Sequence, residues 1–288
     1  MTDTTSRPLA WTTGAAGLIG NYLVQTAPQF APGWTVQGLT RAQLDLLDFD
    51  AVRRAFQEQR PQLVIHCAAV SRSPAAQANP DLARRINVDA TAHLAGLAKD
   101  IPFVFFSSDL VFDGITGNYG ETATPNPLSI YAHTKVAAET IVLANPRHTV
   151  LRVSLNAGVS LTGDRAFNEQ MRLAWQRGET LRFFTDEFRC PIPASVTARV
   201  VWELVNQKQT GIFHVAGSER LSRYEIGRLL AARWPHLNPR FVAASARNHS
   251  DVPRPLDTSF NCTKVQALLS FPLPAFSIWW RDHPEELI

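Results

Sequence analysis

The segment WTTGAAGLIG, residues 11–20, follows a short apolar run and opens a helical pattern of apolar residues. It predicts a strand, a glycine turn and a helix, with glycines in the spacing G-x-x-G-x-x-G. Gly14 would allow a sharp turn because glycine tolerates positive φ, Gly17 would leave room for a pyrophosphate, and Gly20 would let the helix pack closely on the sheet. The amides at the start of the helix would then face the phosphates, so the segment predicts dinucleotide binding.

The composition fits a soluble globular protein, since the 288 residues are 45% hydrophobic and 18% charged. The net charge of +3 is small and the basic residues are scattered, which does not indicate a nucleic-acid partner. The cysteines form no C-x-x-C pair, which favours reduced thiols in a cytoplasmic protein over a zinc site or disulfides. Residues 1–8 lack an apolar signal core, and no apolar run approaches the roughly 18 residues of a membrane helix, so we expect no membrane association.

The end of the second predicted strand bears on the choice of cofactor. The strand at 34–39 is followed by Arg41, with no acidic residue before Asp45. In dinucleotide-binding folds an acid at this place holds the ribose 2′-hydroxyl of NAD, whereas an arginine accommodates the 2′-phosphate of NADP. The sequence therefore favours NADPH, with NADH as the alternative. Asp45 and Asp48 are both candidates for capping the next helix and for contacting the adenine amino group.

Strands and helices alternate through the first half of the chain. This alternation predicts an α/β Rossmann fold, a doubly wound parallel sheet whose ligands bind at the carboxyl ends of the strands. The strands are predicted at 9–11, 34–39, 63–69, 103–106, 150–153, 181–184 and 211–215. The helices are predicted from residue 18 and at 49–59, 80–99, 129–143, 167–177, 194–206 and 222–234, the last with a capping box formed by Ser222 and Glu225.

The pattern becomes less regular after residue 155 and predicts a smaller carboxyl-terminal α/β lobe. We expect residues 1–155 to form an NAD(P)-binding Rossmann domain. Residues 156–288 are expected to form mainly a substrate-binding lobe, with some segments returning to the first domain. Residues 243–255 are predicted as a loop. Aromatic residues at helical spacing are more often core than surface, and this applies to Trp175, Trp202, Trp234, Trp279 and Trp280.

Tyr131 and Lys135 form a Y-x-x-x-K pattern on the helix predicted at 129–143. Residues four apart share one helix face, so both side chains would reach the same cleft. A neighbouring ammonium would stabilise the phenolate and lower the tyrosine pKa from its ordinary value of about 10. Ser108 ends the preceding strand, where its hydroxyl would bond a substrate carbonyl. The three residues together predict carbonyl reduction, with the proton from Tyr131 and the hydride from a nicotinamide.

These motifs together resemble the extended short-chain dehydrogenase/reductase superfamily, and within it the dTDP-4-dehydrorhamnose reductase branch. The likeness covers residues 10–269, which is nearly the whole chain. The departures from the branch, such as Leu110 in place of an aromatic residue, leave the catalytic set intact. The matching segments are TGAAGLIG (13–20), DLLD (45–48), HCAA (66–69), INVDAT (86–91), FFSSDLVFDG (105–114), YAHTK (131–135) and TDEFRCP (185–191).

The resemblance implies roles for individual residues. It implies catalysis by Ser108, Tyr131 and Lys135, and substrate contacts by Asp109 and Arg189. The implied reaction is NADPH-dependent reduction of a 4-keto group on a nucleotide-linked deoxysugar. Dinucleotide contacts are implied for Gly14, Gly17, Leu18, Ile19, Gly20, Arg41, Asp45, Leu46, Ala68, Ala69, Asn87, Tyr131 and Lys135.

Two other functions stay open at this point. The S-S-D-x-V-F-D-G and N-V-D-A-T forms also resemble the regulatory β subunit of methionine adenosyltransferase, an NADP-binding partner protein. Nucleotide-sugar epimerases keep the same three residues, and dehydratases place acids beside the catalytic hydroxyl, which Asp109 matches in part. No metal site is predicted, because Glu285 and Glu286 near the end of the chain are more simply solvated acids. The sequence leaves the oligomeric state open, a homodimer included.

Overall fold

The computed structural model describes residues 7–248 and 254–284. The strands are β1 (Leu9–Thr13), β2 (Thr35–Leu39), β3 (Leu63–His66), β4 (Phe103–Ser108), β5 (Thr149–Val153), β6 (Asn156–Ala157), β7 (Thr180–Phe184), β8 (Phe188–Arg189), β9 (Ile192–Pro193), β10 (Gly211–Val215), β11 (Leu221–Ser222) and β12 (Arg240–Ala244). The central sheet has six parallel strands in the order β10-β5-β4-β3-β1-β2. The predicted doubly wound α/β fold is therefore confirmed.

The predicted helices are present apart from one interrupted segment, and three further helices, at 73–78, 263–266 and 276–282, were not predicted. The helices are α1 (Leu18–Phe30), α2 (Phe49–Gln59), α3 (Ser73–Ala78), α4 (Pro80–Arg84), α5 (Ala90–Leu97), α6 (Ile130–Leu143), α7 (Phe167–Gln176), α8 (Ala194–Asn206), α9 (Arg223–Arg233), α10 (Thr263–Gln266) and α11 (Phe276–Asp282). Asp48 caps α2 by accepting from Ala51 N, and Ser222 with Glu225 forms the predicted capping box of α9. Within the described ranges, no helix is long and apolar enough to cross a membrane.

The long helix predicted at 80–99 is wrong, because the segment is interrupted. Asn79 ends α3 and starts α4, where its side chain accepts a hydrogen bond from Leu82 N and Pro80 takes the first helical position. A π-helical turn, Arg85–Asp89, then separates α4 from α5. Such turns insert an extra residue into a helix and are often found at functional sites. Here the turn carries Asn87.

Helices cover both faces of the central sheet, as parallel strands require. On one face α1 and α8 pack together, and Trp202, which is fully buried, donates from Nε1 to Leu23 O at 3.1 Å. On the other face α5 and α6 bury a second layer that includes Trp11, Phe103 and Phe105. The sheet is thus enclosed, and its carboxyl edge is left to form a site.

The carboxyl-terminal lobe has an aromatic core of its own. Its members include Phe183 with the buried tryptophans Trp175, Trp234, Trp279 and Trp280. The prediction that these tryptophans and Trp202 are core residues is therefore confirmed. In this lobe β7 and β12 pair in parallel beneath α7 and α9.

One segment from beyond residue 155 completes the main sheet. β10 pairs in parallel with β5, in the register Gly211 to Thr149 through Val215 to Val153. This is the expected return of a late segment to the first domain, while the division at residue 155 itself stays a prediction. The loop predicted at 243–255 is wrong at its start, because Ala243 and Ala244 pair with β7. Residues 249–253 of that predicted loop lie outside the described residues.

Candidate active site

The turn after β1 brings backbone segments unusually close together. Gly14 has φ +69°, and a Cβ at this position would lie 2.7 Å from Ala68 N, just past β3. A Cβ on Gly20 would overlap the carbonyl of Gly14. Since any side chain at either position would force strands and helix apart, both glycines are required by the packing of β1, α1 and β3.

The first turn of α1 offers amides to an anion. The first intrahelical hydrogen bond runs from Asn21 N to Gly17 O at 3.1 Å. The amides of Leu18, Ile19 and Gly20 precede it, where an α-helix provides no acceptor. Gly17 adds no side chain at this end of the helix. Because helix N-termini carry partial positive charge, this geometry fits the pyrophosphate of a dinucleotide.

The end of β2 carries the pair Arg41 and Asp45. The Arg41 side chain is 76% exposed, and its Nε lies 3.5 Å from Asp45 Oδ2. Asp45 Oδ1 also accepts from Leu47 N, and Leu46 packs against the core. The exposed guanidinium of Arg41 is suited to binding a phosphate on the ribose. Asp45 balances part of the positive charge of Arg41.

The small residues after β3 lie against the glycine turn. Ala68 N is 3.3 Å from Thr13 Oγ1, which ties this segment to the end of β1. Ala68 and Ala69 therefore form an edge without bulky side chains beside Gly14. Such an edge suits a ligand that lies across the strand tips.

Asn87 joins the segment after β3 to the helix that carries Tyr131. Its Oδ1 accepts from Val70 N at 2.8 Å, and its Nδ2 donates to Thr134 Oγ1 at 2.9 Å. Thr134 in turn donates to the carbonyl of Tyr131. The side-chain amide is thus engaged with protein groups, and a direct contact between Asn87 and the cofactor stays a prediction.

Ser108, Tyr131 and Lys135 meet at the carboxyl edge of the sheet. Ser108 is the last residue of β4, and Tyr131 and Lys135 lie on the first turns of α6, which Ser129 caps. All three side chains are buried. Lys135 Nζ donates to Phe106 O at 2.8 Å and lies 5.9 Å from the centroid of the Tyr131 ring. The Y-x-x-x-K pair and the serine therefore share one cleft, on the side where the glycine turn opens.

The pKa of Tyr131 is shifted in the direction opposite to that predicted from the sequence. Burial raises the pKa of Tyr131 because it penalises the phenolate, and the negative charge of Asp109 adds to this, while the Ser108 hydroxyl opposes it. Burial also lowers the pKa of Lys135 to about 8, against the opposing influence of Cys67 and Glu139. The lowering of the Tyr131 pKa that was predicted from the sequence is therefore wrong, and burial favours the protonated phenol.

Asp109 and Arg189 form a buried ion pair next to Ser108. Arg189 Nε lies 3.5 Å from Asp109 Oδ2, and the two side chains are 5% and 7% exposed. Ser108 Oγ donates to Asp109 Oδ1 at 3.1 Å. The structure therefore brings both residues to Ser108, but in contact with protein groups, and substrate contact by either side chain stays a prediction.

A cavity of about 300 Å³ in the carboxyl-terminal lobe was not predicted from the sequence. Arginine and aromatic side chains line it, and Glu187 at its wall accepts from Arg254 at 3.3 Å and lies 3.2 Å from Arg189. Ion pairs thus run from this cavity to Asp109. The lining residues include Phe167, Arg182, Phe184, Glu187, Arg223 and Arg254. They are scattered in the sequence, and only the fold brings them together, so no local motif could have indicated the cavity.

Residues 7–248 and 254–284 contain no group of three or more His, Cys, Asp or Glu side chains that could hold a metal ion. Glu285 and Glu286, considered above as metal ligands, lie outside these ranges.

The chain is similar to a subunit of a methionine adenosyltransferase and to proteins that are named as reductases. Methionine adenosyltransferase 2 subunit beta of Xenopus laevis is 30% identical over 272 residues, which cover 89% of this chain and 81% of the relative. A probable low-salt glycan biosynthesis reductase of Haloferax volcanii is 32% identical over 236 residues, which cover 76% of this chain and 77% of the relative. Among solved structures, dTDP-4-dehydrorhamnose reductase of Bacillus anthracis in complex with NADP superposes with a TM-score of 0.85 at 22% identity, covering 96% and 98% of the two chains.

A family model supports the same relationship over almost the whole sequence. The model of the RmlD substrate binding domain matches residues 10–285, which include the glycine turn, α6 with Tyr131 and Lys135, and the carboxyl-terminal lobe. The resemblance drawn from the sequence motifs is therefore confirmed at the level of the family. The chain belongs to the RmlD substrate binding domain family.

Proposed function

We propose that the protein is an NADPH-dependent reductase of a 4-keto group on a nucleotide-linked deoxysugar. The observation that carries this proposal is the meeting of Ser108, Tyr131 and Lys135 at the sheet edge onto which the glycine turn opens. A phenol that is buried and protonated beside a serine hydroxyl is a suitable proton donor for a carbonyl oxygen. The relatives named as reductases support the same reaction class.

Each of the three residues has a distinct part in this reaction. A reduced nicotinamide, when bound, supplies the hydride that adds to the carbonyl carbon. Tyr131 donates its phenolic proton to the carbonyl oxygen, so the ketone becomes an alcohol and Tyr131 becomes a phenolate. Ser108 lies beside the phenol and stabilises the phenolate by hydrogen bonding. Lys135 contributes a positive charge below pH of about 8, which favours the phenolate and the return of a proton from solvent.

The arginine-lined cavity supports an anionic, nucleotide-linked substrate. Arg223 and Arg254 lie at its wall together with Phe167 and Phe184. Guanidinium groups bind phosphate oxygens through paired hydrogen bonds, and aromatic rings provide faces on which a base can stack. Ion pairs connect Glu187 at the wall of this cavity, through Arg189, to Asp109 beside Ser108, which supports binding of the nucleotide part of the substrate in the cavity.

NADPH is the proposed cofactor because Arg41 is exposed at the end of β2. Replacement of Arg41 by alanine is expected to weaken NADPH binding by about tenfold to a hundredfold, since a charge-assisted hydrogen bond is worth about 1.5–3 kcal/mol. The affinity for NADH should change by less than about threefold, because NADH lacks the 2′-phosphate. Dissociation constants from nicotinamide fluorescence titrations measure both. Equal losses for the two cofactors would remove Arg41 from the 2′-phosphate site.

The proposed reaction is tested by NADPH oxidation with a dTDP-4-keto-6-deoxysugar and purified protein. Steady loss of NADPH absorbance with formation of the corresponding alcohol is the expected result. An epimerase or dehydratase would instead convert the sugar without net oxidation of NADPH, because those reactions return the hydride to the substrate. Identification of the sugar product by mass spectrometry separates the outcomes.

A second candidate is a regulatory subunit, which the 30% identity to methionine adenosyltransferase 2 subunit beta favours. Such a protein would bind NADP and associate with a catalytic partner. Tight NADPH binding without turnover of any keto-sugar, together with co-purification of a methionine adenosyltransferase from the native host, would support this candidate. Turnover of a keto-sugar that disappears with Tyr131 would support the reductase.

A further inference from the structure

The carboxylate of Asp109 has its two oxygens committed to different groups. Oδ1 accepts the hydroxyl proton of Ser108 at 3.1 Å. Oδ2 accepts from Ser154 Oγ at 3.2 Å and from Thr258 Oγ1 at 2.8 Å. All four side chains are buried. The carboxylate is thus anchored through one oxygen and faces the catalytic serine with the other.

Arg189 supplies the countercharge and is itself immobilised. Its Nη1 donates to Phe188 O at 2.6 Å and its Nη2 donates to Pro255 O at 3.2 Å. Nη2 also lies 3.2 Å from Glu187 Oε1, and Nε lies 3.5 Å from Asp109 Oδ2. A buried carboxylate stays ionised only with such partners, because desolvation favours its neutral form. The side-chain nitrogens of Arg189 are therefore engaged with protein groups before any substrate arrives.

Asp109 and Leu110 occupy two of the three hydrogen-bonding positions of the Ser108 hydroxyl, and the third is left for Tyr131. Its hydroxyl has one proton, which is directed at Asp109, and two lone pairs, one of which accepts from Leu110 N at 3.2 Å. Donation to Asp109 and acceptance from Leu110 hold the oxygen in a single place. The remaining lone pair is available to the hydroxyl of Tyr131, and the proton can rotate from Asp109 to Tyr131 once Tyr131 has become a phenolate.

We propose that Asp109 is a positioning residue that acts through Ser108, and that Arg189 supplies its countercharge and holds it in place, so that neither contributes by direct contact with substrate. The hydrogen bond from Ser108 to Asp109 holds the serine oxygen where it orients the Tyr131 hydroxyl. This inference rests on the proposed carbonyl reduction. It reassigns two residues that the family resemblance placed among substrate contacts.

A kinetic double-mutant cycle with Ser108→Ala and Asp109→Asn tests the proposal. Ser108→Ala is expected to lower kcat by about a hundredfold, the usual cost of removing one oriented hydroxyl from a reacting oxygen. Asp109→Asn should lower kcat by about tenfold, as expected for loss of a hydrogen bond to a charged group, with KM within about twofold of wild type. The double variant should match Ser108→Ala alone, because Asp109 has no effect without the serine hydroxyl.

Asp113→Asn is the matched control, because Asp113 lies on the same segment but bonds Tyr119 and Asn126. Any loss of kcat from Asp113→Asn should multiply with the loss from Ser108→Ala in the double variant, because the two residues act independently. Thr258→Val removes one hydrogen bond that anchors Asp109 but keeps the carboxylate. This variant therefore tests the proposal even if Asp109→Asn does not fold. It should cause a smaller loss of kcat that is likewise absent in the Ser108→Ala background. The proposal would be overturned if the losses of kcat from Asp109→Asn and Ser108→Ala multiplied in the double variant. It would also be overturned if Asp109→Asn raised KM and left kcat unchanged.

The cycle is run with two carbonyl probes so that the two proposals fail separately. One probe is the dTDP-4-keto-6-deoxysugar, and the other is phenanthrenequinone, a small diketone without phosphate. Reduction of the quinone but not of the sugar overturns the proposed substrate, and the cycle on the quinone still decides the role of Asp109. Reduction of neither, with NADPH bound, overturns the proposed function and the role of Asp109 with it.

Discussion

Replacement of Tyr131 by phenylalanine is expected to lower kcat for ketone reduction by about 10²- to 10⁴-fold, the range that a positioned general acid contributes. The substitution removes only the phenolic oxygen and leaves the ring buried beneath the segment after β3. NADPH binding should therefore stay within a few-fold of wild type. Stopped-flow measurement of a single turnover, with NADPH bound in advance, isolates the chemical step from substrate binding and product release.

Tyr224→Phe serves as the matched control. Tyr224 lies on α9 and packs against Phe241 in the carboxyl-terminal lobe, away from the end of β4. Removal of the Tyr224 hydroxyl in this variant should leave kcat unchanged. Wild-type turnover in Tyr131→Phe would exclude Tyr131 as the proton donor, and the search would then turn to Ser108 and Lys135.

Replacement of Glu139 by alanine is expected to lower the free energy of unfolding by about 3–5 kcal/mol, the usual cost of removing one partner of a buried ion pair. Arg152 donates to Glu139 from Nε at 3.0 Å and from Nη2 at 2.7 Å, and both side chains are almost fully buried. Without Glu139, the Arg152 charge would lack its countercharge inside the protein. Urea unfolding followed by circular dichroism measures the change, provided that the m-value is unaltered.

Glu179→Ala provides the comparison for Glu139→Ala. Glu179 lies 2.6 Å from Arg177, but the two side chains are 48% and 60% exposed. Surface pairs of this kind are worth at most about 1 kcal/mol, so stability should hardly change. If both variants lost the same small amount, the Arg152 charge would have to be compensated by something other than Glu139.

The elements that could be predicted from the sequence are those set by neighbouring residues. The glycine spacing of residues 14–20 specifies the turn between β1 and α1 because the turn is local, and the four-residue spacing of Tyr131 and Lys135 places them on one helix face. The capping box at Ser222 is local in the same way. In these three places a short stretch contains all the interacting atoms, and prediction and structure agree.

The features that escaped prediction depend on distant parts of the chain. The pKa of Tyr131 is raised because burial penalises the phenolate, and burial results from the whole fold. The arginines of the lobe cavity converge from three separate segments. Asp109 was identified from its place beside Ser108, but its partners Thr258 and Arg189 are far along the sequence. The helix at 80–99 was predicted from apolar periodicity, which does not register the extra residue of a π turn.

The pairing of β10 with β5 has a consequence for synthesis of the chain. β5 ends at Val153 and β10 begins at Gly211, so the ribosome must add about 60 residues after β5 before its outer edge is covered. At about 5–20 residues per second this takes several seconds, during which an apolar strand presents unpaired backbone groups. The nascent sheet is therefore open to pairing with neighbouring chains in that interval, and synthesis through β10, not the Rossmann half alone, closes it.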